Sequence, residues 1–108
     1  DPLVANALRF ISENGHEMIL VDDVVFSSGA NRRTLERKFR ASMGCTIAEE
    51  ISRLRIERSK RLMMETDASF KSLAMDLGFR NADHFSKVFS RFENITPSQY
   101  RRREKRKG

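Results

Sequence analysis

An all-α fold of seven helices is expected from three features of the sequence. Apolar residues recur at three- and four-residue spacing along most of the chain. Strand signals are nearly absent: Ile19-Leu20-Val21 and Val24-Val25-Phe26 are too short, and too close to Gly29, to build a sheet. Helix-starting and helix-stopping residues punctuate the chain in the right order.

Each element follows from that grammar. Asp1 and Pro2 form an N-cap and first-turn pair for the stripe Leu3, Val4, Ala7, Leu8 and Ile11, which Asn14-Gly15 closes. A short helix is expected over Asp22–Ser28 and stops at Gly29. Asn31 caps the next helix, where Leu35 and Phe39 share a face, and Gly44 ends it. Thr46-Ile47-Ala48-Glu49 reads as a capping box that opens the longest helix, running to about Glu65. Ser69 caps Phe70–Leu77, Gly78 breaks it, and Asn81 caps Ala82–Phe92. Thr96-Pro97-Ser98-Gln99 repeats the capping grammar for the last helix. Met63, Met64 and Met75 read as fillers of core gaps.

The chain repeats itself. Val24–Gly29 matches Leu73–Gly78 at an offset of 49. After the glycine the second copy gains one residue, and at an offset of 50 Leu35 matches Phe85, Phe39 matches Phe89, Gly44 matches Asn94 and Thr46 matches Thr96. Each copy is a short helix, a glycine turn, a helix with two apolar anchors and a threonine-capped helix. That is the plan of a helix-turn-helix, in which the second helix buries one face and leaves the other free for the DNA major groove. A structural αα-corner shares the glycine and the anchors, so the duplication is what favours the DNA reading. The expected organisation is a first helix-turn-helix subdomain at 1–45, a linker helix at 46–65, a second subdomain at 66–103 and a basic tail at 104–108.

Charge agrees with a polyanion as partner. With 108 residues and a net charge of +6, the chain is one small domain or two very small ones. Residues 1–30 carry one positive and five negative charges, whereas residues 31–63 carry ten positive and four negative. The final RRREKRKG carries six positive charges and one negative, either as a solubilising end or as a further anion contact. No apolar run approaches the ~20 residues of a membrane span. The lone Cys45 suits a reducing cytoplasm and excludes a disulfide framework. His16 and His84 lack companions at ligand spacing, so no metal or other cofactor is expected. No nucleophile–base constellation or phosphate-cradling glycine loop supports an enzyme.

The second half, Leu73-Ala74…Gly78-Phe79…His84-Phe85-Ser86-Lys87-Val88-Phe89…Ile95-Thr96-Pro97-Ser98-Gln99-Tyr100-Arg101, resembles the AraC/XylS-type transcriptional regulators. Gly29…Leu35-Glu36-Arg37-Lys38-Phe39-Arg40…Gly44 and the central Arg53–Leu62 are similar to the same family over nearly the whole chain. The resemblance implies a sequence-specific binder of double-stranded DNA with two helix-turn-helix units, and contacts with RNA polymerase. DPLVANALRFI and VDDV look more specifically like the xylose-operon subgroup. That likeness implies control of sugar utilisation and a pentose effector bound by an N-terminal domain absent from this chain. Val25 and Ser59 stand where the family has alanine, and Asn94 where it has glycine; Val25 implies wider packing in the first unit.

On the first reading helix, Arg33 and Arg37 can each bridge guanine O6 and N7. Glu36 either accepts from a cytosine amino group or pairs with Arg32 or Arg40. On the second, Lys87 is a base or phosphate contact and His84 can meet either. Asp83 either accepts from cytosine or adenine or favours the helix N-terminus through the dipole. Candidate phosphate contacts are Asn31, Arg32, Lys38 and Thr46 in the first unit, and Arg80, Asn81, Ser86 and Thr96 in the second. Arg55 reads as a half-buried structural arginine paired with Asp76 or Asp83. Two other classes fit the same composition: a helical module that docks an acidic protein, and an architectural DNA binder indifferent to sequence.

Overall fold

The computed structural model describes residues 1–15 and 17–107, so His16 and Gly108 lie outside the description. Among the described residues the chain forms seven helices and no strand: α1 (Pro2–Asn14), α2 (Val21–Ser28), α3 (Arg32–Met43), α4 (Ile47–Glu65), α5 (Phe70–Leu77), α6 (Ala82–Glu93) and α7 (Pro97–Lys107). Two compact units divide within α4, at Asp1–Leu54 and Arg55–Gly108, rather than at the ends of a separate linker. The reason is that α4 supplies both cores: Ile47 and Ile51 enter the first, Ile56 and Met63 the second.

In the first unit, Val4, Ala7 and Ile11 of α1 pack with Val24 of α2 and with Leu35 and Phe39 of α3. Val25 is half-buried against this core, whereas its counterpart Ala74 is fully buried. The larger side chain at Val25 therefore sits at the margin. The second core is aromatic. Phe85 lies 5.2 Å from Phe79, 5.8 Å from Phe89 and 6.3 Å from Phe70, and Phe89 meets Tyr100 at 5.5 Å, all as tilted or edge contacts.

The repeat extends to the caps. Asn31 Oδ1 accepts from Thr34 N–H and Asn81 Oδ1 from His84 N–H, both at 2.8 Å. Thr46–Glu49 and Thr96–Gln99 close reciprocal capping boxes. Asn94 adopts φ 65° where Gly44 adopts 74°, so asparagine serves the left-handed turn.

The two glycine turns differ, and the extra residue in the second copy is the cause. At Gly78 (φ 87°), Phe79 N–H donates to Ala74 C=O at 2.9 Å and Gly78 N–H to Met75 C=O at 3.3 Å. This is a Schellman closure that tucks Phe79 into the core. At Gly29 the chain is one residue shorter. The Ser28 hydroxyl accepts from Ala30 N–H and donates to Val25 C=O, bridging the gap.

Two expectations need correction. Only Met63 is a core filler; Met64 and Met75 are exposed, because Met75 projects opposite the buried stripe Leu73, Ala74 and Leu77. The basic end is not a tail, since α7 continues to Lys107. Arg101 Nη1 donates to Ala68 C=O at 2.9 Å and its guanidinium lies over the Phe70 ring, while Lys105 holds Asp67 at 2.7 Å. Asp83 pairs with Lys87 at 3.2 Å, and Arg55 is half-buried as expected, with burial pushing its pKa down.

Ser59 is fully buried, and its hydroxyl donates to Ile56 C=O at 2.6 Å. That carbonyl has capacity for a helical bond as well, so Ser59→Ala strands no acceptor. A lost hydrogen bond of about 1 kcal/mol is offset by roughly 0.5 kcal/mol of helix propensity. The variant should melt within about 4 °C of the parent by thermal circular dichroism. A much larger fall would show that the hydroxyl serves a second partner.

Candidate nucleic-acid interface

Burial of Leu35 and Phe39 turns the opposite side of α3 outward. There Arg32, Arg33, Glu36, Arg37 and Arg40 line a surface groove of about 560 Å³ that Thr46 closes at the start of α4. The second unit repeats this construction. Ala82, Asp83 and Ser86 of α6 share a groove of about 290 Å³ with Phe70, Thr96, Pro97 and Ser98. Positions 32, 33, 36 and 46 correspond to 82, 83, 86 and 96, an offset of 50 throughout. Each unit thus sets the exposed face of its third-position helix beside the N-terminus of a threonine-capped helix, where backbone amides favour an anion.

The two faces differ in charge and in freedom. Arg33 and Arg37 are exposed and have no ion pair among the described residues. Arg32 is engaged by Asp22 and lies 3.8 Å from Glu36, so Glu36 makes the intrahelical pair foreseen for it. Lys38 reaches Asp1 at 3.4 Å. On α6, Asp83 occupies the position of Arg33, and its pair with Lys87 is four residues apart with both side chains 77% exposed. Such a pair is worth little in solvent and can open to a ligand.

His84 folds back on its own turn. Its ring meets Phe79 edge-on at 5.7 Å, and Nδ1 accepts from Arg80 N–H at 3.3 Å. Nε2 is then the ring's remaining donor. Asn31 and Asn81 use Oδ1 for capping, which leaves their amide donors. Thr46 and Thr96 accept from the amides of Glu49 and Gln99 and keep their hydroxyl protons.

Sequence reasoning missed two exposed cations on α7. Arg101 and Lys105 fasten that helix, and Lys107 and Arg103 meet Glu104. Arg102 and Arg106 stand one turn apart and are exposed, with no ion pair among the described residues. Both line the groove that contains Ser98, and Ser98 also lines the α6 groove. The i, i+4 spacing was visible in RRREKRK, but which cations were already engaged was not.

A helix-turn-helix domain model matches residues 27–103. A Chromobacterium violaceum transcriptional regulator with an AraC-type DNA-binding domain superposes with a TM-score of 0.82 at 30% identity, covering 93% of this chain and 89% of that one. The chain belongs to the AraC-type helix-turn-helix family. The AraC-type domain is also similar to the DNA-binding domain of AdpA, solved with a target DNA, at a TM-score of 0.84, 27% identity and coverage of 99% and 96%. The xylose operon regulatory protein of Escherichia coli is 30% identical over 94% of this chain, which spans 26% of that regulator's length. This AraC-type chain is therefore a DNA-binding domain of a transcription regulator, the function of its family.

Proposed function

We propose that the domain recognises a specific double-stranded operator through two reading helices, with α3 reading bases more strongly than α6, in a cytoplasmic regulator of a sugar-utilisation operon. The observation that carries this is the pair of equivalent grooves, one of which presents Arg33 and Arg37 on an exposed helix face with no ion pair among the described residues. Arg33 and Arg37 suit guanine, Glu36 and Asp83 suit amino groups of cytosine or adenine, and Lys87 suits guanine or a phosphate. His84 Nε2, Arg80, Ser86 and the capping residues Asn31, Asn81, Thr46 and Thr96 suit phosphate, as do Arg32 and Lys38. Successive major-groove faces lie about 34 Å apart, and bending the DNA is the alternative way to engage both helices. The sugar reading is supported by the likeness to the xylose regulator, and it brings an N-terminal effector domain and RNA polymerase as partners.

Selection of binding sites from random duplexes, followed by titration of selected and scrambled DNA across salt concentrations, tests this. A gap on the order of 10³ or more between the two is expected. Equal affinities would support a sequence-indifferent architectural role, and no binding at low salt would leave a protein-docking module.

The α7 cations carry a separate prediction. Arg102→Ala with Arg106→Ala should weaken selected and scrambled DNA alike and reduce the slope of log K against log salt by about 2, since each phosphate contact contributes roughly 0.9. A change in base preference would instead place α7 in a groove. Truncation at Arg101 is a poorer test, because it also removes the Arg101 and Lys105 fastenings.

A further inference from the structure

The outward face of α2 carries Phe26, 90% exposed, one turn after Asp22 and beside Asp23. The equivalent position on α5 is Met75, 64% exposed, one turn after Lys71. So both helix-turn-helix units present an apolar side chain at the same repeat position, and the residue one turn earlier changes sign between them. Met75 and Lys71 line neither groove beside the reading helices, whereas Asp22 and Phe26 line a shallow groove with Arg32 at the start of α3.

We propose that these two faces bind each other across neighbouring copies, α2 of one copy against α5 of the next. Burying a phenylalanine that is otherwise almost wholly in water supplies the driving force. The flexible methionine thioether suits an aromatic partner, and sulfur–aromatic contacts are favourable. Lys71 is exposed with no ion pair among the described residues, and it meets the acidic pair at the start of α2. Asp22 is shared with Arg32 of its own chain, Asp23 accepts from Leu20 N–H, and Asp76 flanks Met75. A second copy is the favoured occupant because this one chain carries both complementary faces.

The arrangement follows from the geometry of the contact. An α2 face meeting an α5 face joins two different surfaces, so neighbouring copies either follow one another in the same orientation or pair reciprocally about a two-fold axis. Two eight-residue helices bury less than a stable free dimer needs. The contact therefore acts between copies that DNA already holds side by side, where effective concentration is high. It rests on the DNA-binding reading above and adds cooperative filling of adjacent sites.

The test compares duplexes with one selected site and with two, in the same or inverted orientation, at spacings stepped by about one helical turn. The second copy should bind about tenfold more tightly at one spacing, in the orientation that sets α2 of one copy against α5 of the other. Phe26→Ala and Met75→Ala should each abolish that gain while leaving single-site affinity unchanged. Asp22→Lys should abolish it too, and Asp22→Lys combined with Lys71→Asp should restore it. Independent filling at every spacing, or cooperativity that survives Phe26→Ala, would overturn the contact. A DNA-free arm separates this from failure of the DNA reading. In a Cys45→Ser background at high concentration, a Phe26→Cys copy should form a disulfide with a Met75→Cys copy in preference to its own kind. Equal yields of like and unlike pairs would count against the contact whether or not DNA binds.

Discussion

Phe85→Ala is expected to unfold the second unit at room temperature while the first stays folded. Phe85 is fully buried and touches three other aromatic rings. Truncating a buried phenylalanine costs about 3–5 kcal/mol through lost burial and the cavity left behind. Each ring pair, two tilted and one edge-on, also loses a contact worth roughly 0.5–1.5 kcal/mol. A unit of this size has little stability in reserve, because small cores bury a low fraction of their surface. Its counterpart Leu35 sits in a largely aliphatic core that Phe85 does not enter. Hydrogen exchange should therefore show α5–α7 amides losing protection while α1–α3 amides keep theirs. Loss in both sets would mean that the units fold as one cooperative block despite their separate cores.

The features that were legible in the sequence are those set by local rules. Asn31 and Asn81, the two threonine boxes, the anchors Leu35, Phe39, Phe85 and Phe89, and the left-handed turns at Gly44 and Asn94 all follow from spacing and residue chemistry. The resemblance then named the fold and the DNA-binding role. What was not legible depends on residues brought together from afar or on very short helices. Arg101 meets Ala68 across 33 positions and Lys105 meets Asp67 across 38, so the division of the basic end into fastening and free cations needs the structure. Lys38 likewise finds Asp1 at the other end of its unit. In α5, eight residues give two turns, too few for periodicity to decide whether Met75 faces in or out. The Ser28 bridge compensates for a one-residue deletion, and no local propensity announces it.

Arg37→Ala should weaken binding to the selected site by about 1–3 kcal/mol, roughly fivefold to 150-fold, and relax preference at one base position. The ranking among the α3 cations follows from their partners. Arg32 and Lys38 already hold carboxylates, so docking on DNA exchanges one anion for another and returns less. Arg37 has no such partner among the described residues, and it lies on the helix face opposite Leu35 and Phe39. Lys87, its counterpart at an offset of 50, starts from the pair with Asp83. Lys87→Ala should accordingly cost less, on the order of 1 kcal/mol. Titrating both variants on the selected duplex, and on duplexes carrying each single base change, checks the order. A uniform loss across all sequences for Arg37→Ala would assign it to a phosphate. A larger effect at Lys87 would make α6 the principal reader, with its acidic neighbour Asp83 setting specificity by rejecting bases that offer only acceptors.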